Sequence, residues 1–312
     1  MSTLLLTRTD VQHSMDALTL LEEMREAFRA EAAHRDAPPQ SVQASPQAGG
    51  LVRVSFPGTL PGIPAYTVKL QTASSSGPPA SRGVVHLHAL DTGALLAVLD
   101  AGHLLALGTG VVGALAADVL ARPDASRVAL IGAGPQASMQ LKSLRLVRSL
   151  QHVRVYDEAP ARAVDFAARM YKALDLPMRP AMSVEEAVED ADLVITATSA
   201  REPLLFPGML RGGTHVTAVG ADGPGRAELS AGLLRQSSFF CDHPAWSTLL
   251  GETPVPTALG EVLAGAKPGR RDAAEVTVFG AVGPPWQDLV AAWHVYQGVR
   301  GDDAARRVDF EA

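Results

Sequence analysis

The sequence predicts an α/β protein in which a doubly wound parallel sheet is joined to a smaller α+β domain built on an antiparallel sheet. Three observations lead there. After Asp100, six short segments rich in Val and Ile (RVALIG, VRVYD, ADLVITAT, THVTAVG, SFFCD and EVTVFG) are interspersed with helical stretches, the pattern of repeated β-α-β units. Between residues 50 and 100 the apolar residues recur at period two instead, as in paired strands. The length of 312 residues suits two domains. These are expected at 1–115, with 286–312 returning to it, and at 116–285.

The elements follow in chain order. From Asp10 to about Ala33 the spacing of Val11, Met15, Leu18, Leu21, Met24 and Phe28 predicts one amphipathic helix. DAPPQSVQASPQAGG reads as turn. LVRVSF and AYTVKLQ then alternate around PGTLPGIP, and VVHLHAL, DTGA and LLAVLD make a further hairpin beyond the polar loop SSSGPPASRG. Asp100 is placed to cap a helix running to Pro123. Beyond it, PQASMQLKSLRLVRSL, APARAVDFAARMYKAL and SVEEAVEDA are helical, the last capped by Ser183, and WQDLVAAWHVYQGV forms a final helix.

Composition excludes several classes of partner. A formal net charge of −6, from 27 basic and 33 acidic residues without a basic run, gives no electrostatic footprint for nucleic acid or an anionic membrane. Cys241 is the single cysteine, so neither an internal disulfide nor a cysteine metal cluster is expected, which fits a reducing cytoplasm. The short apolar run at the N-terminus does not suffice for a signal peptide, and no apolar run is expected to span a membrane.

Two glycine motifs compete for a nucleotide. GTGVVG, from Gly108 to Gly113, has the spelling G-x-G-x-x-G, but the next strand, RVALIG, ends in glycine and offers no acid to a ribose. IGAGPQA has what the chemistry requires: the strand VALI before Gly132, Gly134 where a pyrophosphate would approach the backbone, Pro135 and Gln136 opening a helix, and Ala137 as the third small residue. The following strand VRVYD ends in Asp157, placed to accept the ribose hydroxyls. This unit is assigned as the dinucleotide loop, and Asp157 argues for NAD over NADP because a carboxylate repels a 2′-phosphate.

The first domain offers fewer signals. Alternation puts Thr67, Lys69 and Gln71 on one face of their strand and Tyr66, Val68 and Leu70 on the other. Lys69 reads either as a solvated strand lysine or as a cleft lysine suited to proton transfer or carboxylate binding. His86 and His88 share a face without a third ligand at metal spacing, so no metal site is assigned. Ser74 to Ser76 have no triad partners. Asp222 lies just past the strand THVTAVG, where ligand-lining residues sit, within a sequence that also has strong turn chemistry.

With these residues the chain resembles the ornithine cyclodeaminase and μ-crystallin family, through VKL at Lys69, DTGALLAVLDAGHLLALGTG, LARPDASRVALIGAGPQASMQL, YDEAPARA, AVGADGPGRAEL and VGPPWQDLVAA. The resemblance implies a homodimer formed through the antiparallel sheet, with NAD(P) on the Rossmann-type domain. It implies that Lys69 contacts the substrate and assists proton transfer, and that Asp222 is an acid/base group beside the reacting amine or imine. Thr109 and the loop from Gly134 to Gln136 would hold the phosphates, while Thr196, Thr198, Val282 and Gly283 would border the cofactor. Two departures stand out: relatives usually have arginine at the places of Gly108 and Gln40, where it grips a substrate carboxylate. Serine is also common at the place of Ala281. The expected activity is NAD-dependent oxidoreduction or cyclodeamination at the carbon–nitrogen bond of an amino acid or imine, in amino-acid metabolism. The alternative is a binding or sensor protein that keeps the nucleotide and has lost turnover.

Overall fold

The computed structural model describes residues 2–34, 41–47, 50–74, 81–221, 225–243 and 254–310. The chain forms two compact units, residues 1–108 with 284–312 and residues 109–283.

In the first unit, β1 (Ser2–Leu6), α1 (Arg8–Ser14) and α2 (Ala17–Ala33) precede a run of strands: β2 (Ser41–Gln47), β3 (Gly50–Gly58), β4 (Ala65–Ser74), β5 (Ser81–Ala89) and β6 (Leu95–Asp100). β2 to β6 pair consecutively and antiparallel, β1 lies parallel to β6, and the short strand at Arg307–Asp309 pairs antiparallel with β1. The sheet is therefore mixed and seven-stranded, wider than the antiparallel sheet expected over residues 50–100. Ser41–Gln47, read above as turn, is an edge strand, the position in a sheet that tolerates Pro46. The single expected N-terminal helix is two, because Thr7 caps the first through Asp10 N–H and Asp16 caps the second by accepting from Thr19 N–H at 2.7 Å.

The core of this unit joins Leu20, Leu21, Met24 and Phe28 of α2 to Val85, Leu87, Ala97 and Leu99 of the sheet. A helix at Pro285–Val299 packs on β3, β4 and β5, and its Trp286 meets Phe28 edge to face with ring centroids 4.8 Å apart. That helix comes close to the sheet at Gly58: a Cβ there would collide with Thr67 Oγ1 and the Pro285 carbonyl oxygen.

The helix α3 (Ala101–Leu120) begins beside Asp100, whose Oδ1 accepts from Gly102 N–H at 3.0 Å. It is long and apolar enough to cross a membrane, contrary to the expectation that no apolar run reaches that length. Of its most apolar window, 67% is buried inside the protein, as in the core helix of a globular domain.

The second unit continues with β7 (Arg127–Ile131), α4 (Pro135–Leu144), β8 (His152–Tyr156), α5 (Pro160–Leu174), β9 (Met178–Pro180), α6 (Val184–Val188), β10 (Leu193–Thr196) and β11 (His215–Ala218). It is completed by α7 (Ala231–Gln236), β12 (Ser238–Cys241), β13 (Thr257–Ala258), α8 (Leu259–Leu263) and β14 (Thr277–Gly280); the last helix and strand of the first unit are α9 (Pro285–Val299) and β15 (Arg307–Asp309). All eight strands are parallel, in the order β13-β12-β14-β11-β10-β7-β8-β9. The order reverses between β7 and β10, so the crevice beyond their carboxyl ends is the topological switch point of a Rossmann-type sheet. All six strand segments read from the sequence are present, and β9 and β13 add short edges. The helix Ser183 caps is α6, with Ser183 Oγ accepting from Glu186 N–H at 3.1 Å.

Two buried polar centres brace this unit. At the amino end of the sheet, Asp192 accepts from Arg122, from both the backbone and side chain of Arg127, and from Ser126 N–H, at 2.8–3.2 Å. Burial alone would raise its carboxyl, but these donors outweigh burial and hold it down at about 2. In the core, His215 lies between Thr277 Oγ1 at 2.9 Å and Thr217 Oγ1 at 3.1 Å. The Thr277 hydroxyl donates its one proton to the Leu120 carbonyl at 3.0 Å, so His215 Nδ1 donates to Thr277 and Nε2 accepts from Thr217. Burial, and then the charges of Arg270 and Arg148, lower this imidazole to about 3 from an ordinary 6.5.

The neutral His215 contributes stability fully above pH 6.5 that is lost as pH falls toward 3, because the unfolded chain takes up the proton first. The component is on the order of 5 kcal/mol, and His215→Gln should flatten the dependence of denaturant midpoints on pH between 6.5 and 4. Gly58→Ala should destabilise the first unit by about 2 kcal/mol in chemical denaturation through overpacking against α9.

Candidate functional site

The loop after β7 leaves backbone open at the N-terminus of α4. Gly132 has φ +99°, and a Cβ there would lie 2.5 Å from the Ala197 carbonyl oxygen at the end of β10, so glycine is required twice over. Gly134 is the N-cap of α4, with Pro135 in the first turn and no side-chain cap. A Cβ at Gly134 would meet nothing within 4 Å, so the backbone can be approached from outside where the helix dipole is positive. Ala137 is fully buried, as close packing of helix on sheet demands. These residues fit a dinucleotide pyrophosphate.

Asp157 follows β8 directly and is 8% exposed. Its Oδ2 accepts from Ala133 N–H at 2.9 Å, which ties the glycine loop to the neighbouring strand. Its Oδ1 accepts from Ala159 N–H and from Arg162 Nε, both at 2.9 Å, with Arg162 Nη2 at 2.8 Å. The second lone pair of Oδ2 is the one suited to a ribose hydroxyl.

Two further acids at the same end of the sheet escaped the sequence reading. Glu228, 1% exposed, accepts at Oε1 from Thr198 N–H at 2.7 Å and Thr198 Oγ1 at 2.8 Å, and at Oε2 from Thr196 Oγ1 and Gly220 N–H, each at 2.8 Å. Burial raises its carboxyl above the usual range despite these donors. Thr196 and Thr198, predicted to border a cofactor, thus donate their hydroxyl protons to Glu228. Asp242, after β12, accepts from Val282 N–H at 3.0 Å and Gly283 N–H at 2.8 Å, so the Val282–Gly283 turn is also held by a carboxylate. Thr109 gives its carbonyl to Gln140 Nε2 at 2.8 Å. In the sequence, Glu228 and Asp242 look like ordinary loop acids; Asp242 alone carries a signal, its position just after a strand.

In the first unit Lys69 is buried, 7% exposed, which rejects the solvated-strand reading. The face it shares with Thr67 is turned inward against α9, whereas Tyr66 and Val68 are half-buried and Leu70 is exposed. Lys69 Nζ lies 2.7 Å from Oδ2 of Asp288 on α9, and burial raises the Asp288 carboxyl although the lysine charge opposes it. Ser55, directly across from Lys69 on β3, has a buried hydroxyl without a hydrogen-bond partner. Asp288 was missed because an acid inside WQDLVAA reads as the polar face of a helix. His86 and His88 lie on the outward face, where His88 stacks on Tyr66 with centroids 4.9 Å apart.

Asp222 and Gln40 lie outside the described residues. At Gly108, among the described residues, a Cβ would have Ala291 Cβ within 4 Å, at 3.9 Å, and no other side chain.

Comparison with known proteins fits this geometry. Residues 1–303 match the Ornithine cyclodeaminase/mu-crystallin family. The alanine dehydrogenase of Archaeoglobus fulgidus is 29% identical over 99% of this chain and 99% of its own. The ketimine reductase mu-crystallin of Mus musculus is 34% identical over 74% of this chain and 75% of its own. Among solved structures, the Thermococcus litoralis Δ1-pyrroline-2-carboxylate reductase in complex with NADH and L-proline superposes with a TM-score of 0.90 at 29% identity, covering 98% of this chain and 100% of that one. The chain belongs to the ornithine cyclodeaminase/μ-crystallin family.

Proposed function

We propose that the protein is an NAD-dependent oxidoreductase acting at the carbon–nitrogen bond of an amino acid or imine, as a dehydrogenase, imine reductase or cyclodeaminase. The observation that carries this reading is the unit formed by Gly132, the open N-terminus of α4 and Asp157 bonded to Ala133 N–H. Gly134, Pro135, Gln136 and Ala137 would hold the pyrophosphate, with Thr109 beside them. Asp157 would hold the adenosine ribose, favouring NAD over NADP. When bound, the nicotinamide supplies or accepts a hydride. Thr196, Thr198, Val282 and Gly283 would border it, their turns kept rigid by Glu228 and Asp242.

The protein's own chemistry is then proton handling and orientation. Lys69, charged and buried, would bind the substrate and assist transfer of its proton. Asp222 would serve as the acid/base group at the nitrogen, by resemblance. A homodimer would cover the outward face of the first sheet, where Tyr66, Val68 and Leu70 present apolar surface. The archaeal alanine dehydrogenase structure, similar at a TM-score of 0.89 and 29% identity, is a dimer with bound NAD. A second reading, a nucleotide-dependent ligand-binding or sensor protein without turnover, draws on glycine at position 108 and glutamine at position 40, where the resemblance leads one to expect arginine. NADH binding without any substrate-dependent change in nicotinamide absorbance, across amino acids, cyclic imines and keto acids, would favour it.

Asp157→Ala should weaken NADH binding about tenfold or more in a fluorescence titration, and unchanged affinity would remove the ribose assignment. Lys69→Ala should lower turnover by about 100-fold or more while leaving NADH affinity within about twofold. Retained turnover would show that Lys69 has only a packing role.

A further inference from the structure

We propose that Asp288 is a positioning residue for the chemistry of Lys69: from the first turn of α9 it fixes where the ammonium sits inside the core. The inference rests on the reading of Lys69 as a substrate-binding residue, but it is tested without substrate or cofactor.

The geometry begins with the sheet. Lys69 lies in β4, paired on one side with Ser55 of β3 and on the other with Val85 of β5, so the ladders fix the direction of its side chain toward α9. Gly58 lets the start of α9 rest against β3 and β4, because the Pro285 carbonyl occupies the place of a Cβ. Asp288 stands one turn further into a helix buried from Pro285 through Ala292. Both side chains of the 2.7 Å pair are 9% exposed.

Packing alone does not explain such a pair. Removing two charges from water costs several kcal/mol each, and an apolar pair of similar volume is often as stable or more so. Lys69 is the single lysine or arginine among the buried residues described. The groups beside it from the sheet, Ser55 Oγ and Thr67, are neutral hydroxyls, and Val85 is apolar. Asp288 is therefore the countercharge that allows the ammonium to remain buried, and because it sits on a different element it also sets the direction from which Nζ is held. Ser55 Oγ, unpartnered opposite Lys69, leaves a hydrogen-bonding group beside the ammonium for a bound molecule.

The chain has four lysines, Lys69, Lys142, Lys172 and Lys267, and the last three are exposed, so the Lys69 signal is readily assigned in NMR of protein labelled with 13C and 15N at lysine. In the unmodified protein the Lys69 ammonium protons should give a cross-peak that persists at a pH where those of the three exposed lysines have exchanged away. In Asp288→Asn the Lys69 ammonium cross-peak should be lost under the same conditions, and Asp288→Glu should restore most of it. NADH titration of both variants checks that the nucleotide site still forms. An exchange-averaged Lys69 in the unmodified protein overturns the proposal even where the variants fail to fold. So does an Asp288→Asn variant in which the Lys69 cross-peak persists unchanged. Loss of NADH binding by the unmodified protein would instead contradict the proposed function and leave the Lys69 measurement intact.

Discussion

Backbone N–H groups in the loops that follow parallel strands must find acceptors, and here three buried or nearly buried carboxylates supply them. Asp157 takes Ala133 N–H from the loop after β7. Glu228 takes Thr198 N–H after β10 and Gly220 N–H after β11. Asp242 takes Val282 and Gly283 N–H after β14. Four neighbouring loops at the carboxyl end of one sheet are thus held by charge-assisted bonds that an apolar core could not provide. The open N-terminus of α4, by contrast, has no side-chain cap.

The first unit meets the opposite problem, a buried cation. Its sheet presents Lys69 inward because strand pairing leaves no choice of face, and α9 answers with Asp288. Rigidity is obtained in both units by pairing charge within a low-dielectric interior, where an unpaired group would be costly. The dependence on backbone proximity is similar too: Gly58 admits α9 to the sheet, and Gly132 admits the phosphate loop to the end of β10.

Much of this was legible in the sequence where the determining interactions are local. The β7-α4-β8 unit declares itself because Gly132 and Asp157 belong to one β-α-β turn, and the fingerprint GTGVVG disqualifies itself because the strand after it ends in glycine. Gly108 to Gly113 are instead part of α3, where small residues permit close packing: a Cβ at Gly110 or Gly113 would press on Ser143 or Gln140. What the sequence hid was long-range. Period two separates the faces of β4 but does not say which one a distant helix covers, so Lys69 read more readily as a solvated strand lysine than as a buried one. Asp288 and Glu228 acquire meaning only once remote segments are brought beside them. β2 was obscured by Pro46, which an edge strand accepts, and the split between α1 and α2 by an apolar periodicity that runs through both.

The central claim, that the carboxyl end of this sheet at the β7–β10 switch point receives a nicotinamide dinucleotide, is tested most directly by hydrogen–deuterium exchange of the intact protein with and without NADH. The account predicts slowed exchange in peptides covering residues 131–138 and 155–159, with residues 122–127 and 190–193 at the opposite end of the sheet unchanged. Exchange that does not respond to NADH at 131–138, or that slows at the Asp192 end instead, would contradict it.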